Sequence, residues 1–235
     1  REVARVASSA LDFHVDLCRL NGASLEEDLR KRDFTINAIA CELSGASLID
    51  PLNGQVDLQD GIIRLASPNA INDDPLRILR ALRFSLLPGF RLDKSCVQAM
   101  RASTHLLPTV AVERIRQELL GALRLSSRIF ELLSDFGLLE TVLGLETGNL
   151  AALLLGEDLL EPGRLSGSVE HFAQEIEGEV SRAELLRLCL FCGEAAEDTL
   201  KRLKFSRRSQ KLAATLNRQL LALENDTALD RLKRY

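Results

Sequence analysis

The sequence has no tryptophan, one tyrosine and one methionine, and nine phenylalanines make up nearly all of its aromatic content. A row of aromatic platforms for stacking single-stranded bases is therefore not evident. No uninterrupted apolar run is long enough to span a bilayer. The opening residues Arg1-Glu2-Val3-Ala4-Arg5 lack the apolar segment and cleavage site of a signal peptide. No Met opens the chain, so it is expected to begin inside a longer polypeptide. His14, His105 and His171 are widely separated, and nothing in their spacing suggests a metal-dependent phosphohydrolase. Internal repeats and low-complexity tracts are also missing.

The five cysteines (Cys18, Cys41, Cys96, Cys189, Cys192) are odd in number and scattered, which points to free thiols and a cytoplasmic location. Cys189-Leu190-Phe191-Cys192 has the spacing of a metal or redox pair, but no second pair accompanies it. It reads equally as two small buried side chains one helical turn apart.

The formal charge of −4 conceals an uneven distribution. Residues 77–128 hold ten Lys and Arg against three Asp and Glu, and residues 181–235 hold twelve against seven. Such stretches can form a stripe that grips phosphates, or can be solvated helix faces.

Alternation predicts a strand over 12–20, ended by Asn21-Gly22. Ser24-Leu25-Glu26-Glu27 reads as a capping box opening a short helix. A helix over about 33–43, a short strand at 47–51 closed by a Pro-Leu-Asn-Gly turn, a helical turn at 56–61 and a strand at 62–65 follow. Beyond Asn72 the pattern is helical throughout, with segments at about 74–86, 93–102, 111–124, 127–135, 147–156, 168–178, 181–193, 195–203 and 206–224. Leu159–Gly167, containing Pro162-Gly163, is the expected internal linker. Three strands are too few for a comfortable sheet, which suits the end portion of a sheet domain.

Two runs carry chemistry. In Asp73-Asp74-Pro75-Leu76-Arg77-Ile78-Leu79-Arg80, Asp74 and Arg77 stand three apart at a helix start and share a face. A carboxylate accepts hydrogen bonds and a guanidinium donates them. Cytosine and adenine each present an amino donor beside a ring acceptor, so the pair complements both. Uracil and guanine reverse that pattern and would leave buried polar groups unpaired. The pair could thus select C and A without a template. The same residues also make an ordinary helix start, with Asp as N-cap, Pro at the first position and a surface ion pair.

The second run is Lys31-Arg32-Asp33-Phe34-Thr35-Ile36-Asn37-Ala38. With the first it resembles the signature motifs of the class II nucleotidyltransferases, the CCA-adding enzymes and bacterial poly(A) polymerases. The match to that family's Arg-Arg-Asp-x-Thr-x-Asn-Ala run is nearly complete, Lys31 standing for the first Arg. The resemblance implies that Arg32 and Asn37 contact the triphosphate and sugar, that Asp33 recognises the ribose, and that Asp74, Arg77 and Arg80 handle the base. Asp50-Pro51-Leu52-Asn53-Gly54-Gln55-Val56-Asp57-Leu58 is similar to the family's linker between head and neck, where Gly54 would be a pivot; it also reads as a turn that closes a sheet. Glu113-Arg114-Ile115-Arg116-Gln117-Glu118-Leu119 is similar to the neck helix, with Glu113 and Arg114 bracing the base-reading helix. Leu203-Lys204-Phe205-Ser206 resembles the helical body more weakly.

Two departures stand out. Asp73 replaces the usual Glu of the base-reading motif. The family's metal-binding Asp-x-Asp appears nowhere in the chain, and its ligands are expected upstream of residue 1. Asp16 is the candidate third carboxylate, or an edge-strand residue facing water. No other metal ligand is identified.

The implied fold is α+β. Residues 1–65 are expected to be the last part of a nucleotidyltransferase head, a short mixed sheet with helices. Residues 66–135 would form a helical neck, and 136–235 a helical, RNA-binding body. The implied activity is template-independent addition of A, and of C, to RNA 3′ ends by two-metal chemistry with Mg²⁺, the substrates being ATP and CTP and the partner a tRNA 3′ end. Poly(A) synthesis by the same family, a non-catalytic RNA-binding remnant and a helical scaffold with a vestigial head are the alternatives.

Overall fold

The computed structural model describes residues 3–8, 13–43, 45, 47–149, 175–177 and 180–225. The chain folds as α+β and divides into two compact units, one made of Arg1–Asp73 with Arg91–Ala99 and the other of Asp74–Phe90 with Met100–Tyr235. Segments 66–73 and 91–99, expected in the neck, fall in the first of these units.

In the first unit β1 (Val3–Ser8), which the sequence pattern did not suggest, pairs antiparallel with β2 (Phe13–Cys18). Helix α1 (Leu25–Arg30) starts where the cap signal places it. Ser24 Oγ accepts from the Glu27 amide at 3.2 Å, while the Glu27 carboxylate accepts from the Ala23 amide at 2.8 Å, one residue before the cap. These bonds satisfy amides at the helix start that have no partner within the helix.

The helix expected over 33–43 does not form. The Thr35 amide donates to the Arg64 carbonyl at 2.9 Å, the Asp33 carbonyl accepts from the Ala66 amide at 3.0 Å, and Phe34 bridges Leu65. Backbone groups committed to another segment cannot make the i to i−4 bonds of a helix. What remains is a 3-10 turn at Thr35–Asn37, followed by β3 (Ala40–Cys41), paired antiparallel with β4 (Leu48–Ile49).

Helix α2 (Gly54–Gln59) begins two residues before the predicted turn because the Asp50 carboxylate accepts from the Gly54 and Gln55 amides at 2.7 and 3.0 Å. Strand β5 (Ile62–Ile63) pairs in parallel with β6 (Arg91–Leu92), a strand missed in the sequence. Helix α3 (Ala70–Asp73) lies between them in sequence, and α5 (Lys94–Ser103) follows β6. Leu29, Phe34, Ala38, Ile63, Ala70, Ile71 and Cys96 are buried.

The described residues of the second unit are almost wholly helical. It contains α4 (Arg77–Ser85), a 3-10 segment at Thr104–Thr109, α6 (Val112–Leu125), α7 (Ile129–Asp135) and α8 (Leu139–Leu143). Later come α9 (Arg182–Cys192), α10 (Ala196–Arg202) and α11 (Arg207–Asn225). Ile78, Leu79 and Leu82 on α4, and Ile115, Leu119 and Leu123 on α6, recur at the spacing of an apolar helix face and are buried. Each such side chain contributes about 1.5–3 kcal/mol when removed from water. Phe130 stacks on Phe191 with ring centroids 4.0 Å apart.

A capping box opens α9: the Ser181 hydroxyl accepts from the Glu184 amide, and the Glu184 carboxylate accepts from the Ser181 amide at 2.7 Å. Glu184 also pairs with Arg124, at the end of α6, at 2.7 Å. Residues 175–177 form a strand, β7, paired with β8 (Val180–Ser181), so the helix predicted over 168–178 is not continued to its end. Most of the helix predicted at 147–156, and the Leu159–Gly167 linker, lie outside the described residues. Cys189 and Cys192 are buried on α9, and burial pushes both thiols up to about 12, so they fill space as small apolar side chains.

Candidate nucleotide site

The first motif occupies the bend between α1 and the 3-10 turn. Arg32 folds back onto α1, where its Nε and Nη2 donate to Asp28 Oδ2 at 3.0 and 2.7 Å. The guanidinium side chain keeps 39% of its exposure while the Asp28 side chain has none. Asp33 Oδ1 accepts from the Phe34 amide at 2.9 Å and from Asn37 Nδ2 at 3.0 Å. Arg32, Asp33 and Asn37 are thus gathered on one short bend, with Phe34 anchoring it in the core.

Beneath the bend runs a polar chain that sequence reasoning did not assign. Thr35 Oγ1 donates to buried Asp57 Oδ2 at 2.7 Å. Arg64 Nε donates to the same oxygen at 3.0 Å, and Arg64 Nη1 reaches Asp93 at 3.1 Å. The Asp57 hydrogen bond raises the Arg64 pKa further above its ordinary value. The hydroxyl of Ser95 holds Asp93 below the usual carboxylate range, although burial opposes it. Buried polar groups need such partners, since an unpaired one costs about 1–3 kcal/mol. The i, i+4 spacing of Asp28 and Arg32 was visible in the sequence; the separation of 22 positions from Thr35 to Asp57 offered no such signal.

Gly54 packs against the Thr35 backbone. A Cβ there would collide with the Thr35 carbonyl oxygen and sit 2.7 Å from its carbon. Close approach of two backbone segments, rather than a pivot, is the reason the structure gives for glycine at this position.

The second motif lies at the start of the second unit. Asp73 closes α3 and is exposed, and Asp74 begins a turn that leads into α4. The helix itself starts at Arg77, later than the predicted residue 74. Asp74 Oδ1 accepts from the Leu76 amide at 3.2 Å, and Oδ2 accepts from Arg114 Nη2 at 2.7 Å. Arg114 therefore braces the Asp74 turn directly. Its neighbour Glu113, expected to share that task, pairs with Lys204 at 2.7 Å instead. Successive helical residues point about 100° apart, so two neighbours on α6 serve different partners. Lys204 holds the Glu113 carboxyl below its ordinary range.

Arg77 is the first residue of α4 and is half-buried. Arg80 donates to Glu118 at 3.1 Å, and Arg83 donates to the other Glu118 oxygen at 2.7 Å. Arg83 also crosses Gly121, where an added Cβ would lie 3.1 Å from its Cδ. Asp74–Arg114, Arg80–Glu118 and Arg83–Glu118 fix α4 on α6. Farther along the unit, Arg116 donates to the carbonyls of Leu203 and Lys204, and its guanidinium lies 5.6 Å from the Phe205 ring centroid. The Leu203–Ser206 segment is thereby docked on α6.

Asp16, the candidate third carboxylate, lies opposite Arg5 on the β1–β2 ladder, with contacts of 2.6 and 2.8 Å. That pairing raises the Arg5 pKa. Among the described residues no three His, Cys, Asp or Glu side chains converge as they would around a metal ion. The described residues do not by themselves fit a two-metal centre. No helix among them is long and apolar enough to cross a membrane.

These two sites and their scaffold fit one class of protein. Residues 2–64 match the poly A polymerase head domain, and residues 89–146 match a probable RNA and SrmB-binding site of polymerase A. The chain belongs to the class II nucleotidyltransferase family. It is 40% identical over 156 residues to a CC-adding tRNA nucleotidyltransferase of Halalkalibacterium halodurans, covering 64% of this chain and 41% of that protein. It is 44% identical over 106 residues to an A-adding tRNA nucleotidyltransferase of Deinococcus radiodurans, covering 43% of this chain and 24% of the relative. A crystal structure of a tRNA nucleotidyltransferase complexed with a primer tRNA and an incoming ATP analog superposes with a TM-score of 0.74 at 25% identity, over 99% of this chain and 69% of that one. The chain thus spans less than half the length of the curated relatives it matches.

Proposed function

We propose that this chain carries the nucleotide-selecting part of a tRNA 3′-end nucleotidyltransferase, which adds C or A without a template. The observation that carries the reading is the fixed Asp74 carboxylate at the mouth of α4, one turn before Arg77. It is held between the Leu76 amide and Arg114. A carboxylate held on both oxygens is a rigid acceptor, which template-free discrimination of an amino group requires. The Arg32–Asp33–Asn37 bend supplies donors for phosphate and an acceptor for a ribose hydroxyl. ATP and CTP are the substrates.

In this reading residues 1–65 are head, 66–135 neck and 136–235 a body that holds tRNA through its basic surface. Binding should then weaken as salt rises. The relatives include both CC-adding and A-adding enzymes, which supports tRNA end addition over polyadenylation.

The test is incorporation of labelled CTP and ATP by the full-length gene product, with Mg²⁺, into tRNAs ending before CCA, after C and after CC. Addition of C, of A or of both, stopping at the completed end, supports the reading. A long A tail would make the protein a poly(A) polymerase, and tRNA binding without incorporation would make it a binding remnant.

A further inference from the structure

Asp28 is 1% exposed, and its side chain is wholly shielded from solvent. A carboxylate in that position is costly unless each oxygen is satisfied. Here Oδ1 accepts from the Asn21 amide at 2.7 Å, and Oδ2 accepts from both Nε and Nη2 of Arg32. Arg32 lies just beyond the end of α1, with its amide bonded to the Leu29 carbonyl at 3.1 Å. Its long side chain would otherwise be free to sweep a wide arc. Two bonds to one oxygen remove that freedom and leave the charged head partly open to solvent.

We infer that Asp28 is a positioning residue for the incoming nucleotide: it holds the Arg32 guanidinium in the orientation that receives a phosphate group. The inference rests on the proposed function, because it takes Arg32 to contact the triphosphate. Asp28 itself touches no substrate. It sets the direction of the donor in advance, so that binding does not have to immobilise a flexible arginine. A purely structural role, closing the Asn21–Ala23 loop on α1, would stabilise the bend without favouring phosphate.

The experiment compares CTP with cytidine, and ATP with adenosine, by competition binding to the wild-type protein, Asp28→Asn, Arg32→Ala and the double variant. Asparagine keeps the size and an acceptor for the Asn21 amide, but turns an amide donor toward a guanidinium that can only donate. The expected result is about tenfold weaker triphosphate binding by Asp28→Asn, equivalent to ~1.4 kcal/mol, with nucleoside binding unchanged. In the Arg32→Ala background the Asp28 change should add nothing further.

Equal losses for nucleoside and triphosphate, or effects that simply add in the double variant, would overturn the inference. Should Asp28→Asn not fold, Asp28→Glu keeps the charge, displaces the acceptor, and must show the same selective loss. Wild-type protein that binds no triphosphate overturns the proposed function and this inference with it. Wild-type binding with an unaffected Asp28→Asn overturns this inference alone.

Discussion

Replacing Gly54 by alanine gives the sharpest test of how the nucleotide bend is supported, because two accounts predict opposite signs. Gly54 is the first residue of α2, and its backbone is not in the left-handed region. At an unobstructed position of that kind, Gly→Ala stabilises by about 0.4–1 kcal/mol through the unfolded state. Gly54 is obstructed. The new Cβ would overlap the Thr35 carbonyl oxygen, lie 2.7 Å from the carbonyl carbon and sit 3.1 Å from Ile39 Cγ1. Backbone cannot rotate aside as a side chain can, and overpacking of this type costs about 1–3 kcal/mol. The net expectation is a loss of about 1–2 kcal/mol, read as a lower urea midpoint with an unchanged slope. Displacement of Thr35 should also disturb its bond to Asp57 and raise the KM for nucleotide. If Gly54 served only as a pivot, alanine would leave stability equal or improved while slowing turnover. An unchanged or higher midpoint would therefore refute the close-packing account.

Glu118→Gln should destabilise the second unit by about 1–3 kcal/mol, since it withdraws one carboxylate from two arginines at once; a change in urea midpoint too small to measure would remove Glu118 as the link between α4 and α6. Asp74→Asn should erode the preference for CTP and ATP over UTP and GTP by about ten- to a hundredfold, measured as relative incorporation, and unchanged selectivity would remove Asp74 from base reading. In the native protein a thiol reagent at pH 8 should modify exposed Cys18 and Cys41 rapidly, and buried Cys96, Cys189 and Cys192 only on unfolding. Burial raises those three from 9.0 to about 12. The stability they contribute as neutral thiols is complete below pH 9 and lost as pH climbs toward 12, at up to about 1.4 kcal/mol per pH unit for each. A Cys96→Ala variant with an equally steep alkaline decline would contradict this.

Local features were settled by the sequence. The Ser24 cap signal opens a helix where it stands, because a cap needs only a side chain and amides two or three residues away. The apolar spacing of α4 and α6 marked their buried faces for the same reason. The motif residues, and their resemblance to a nucleotidyltransferase, were also legible in one dimension. Tertiary structure decided what long-range hydrogen bonds control. Residues 33–43 carry a helix-compatible pattern, yet the Thr35 amide and the Asp33 carbonyl are claimed by Arg64 and Ala66, so a bridge and a 3-10 turn replace the helix. Strand β6 is two residues long and exists only because β5 offers it an edge. Only folding joins Thr35 to Asp57, Asp57 to Arg64 and Arg64 to Asp93, or gives Arg114 to Asp74 and Glu113 to Lys204. A sequence states which groups can donate and accept, but the partners that satisfy them are chosen by burial, which makes every unpaired polar group costly.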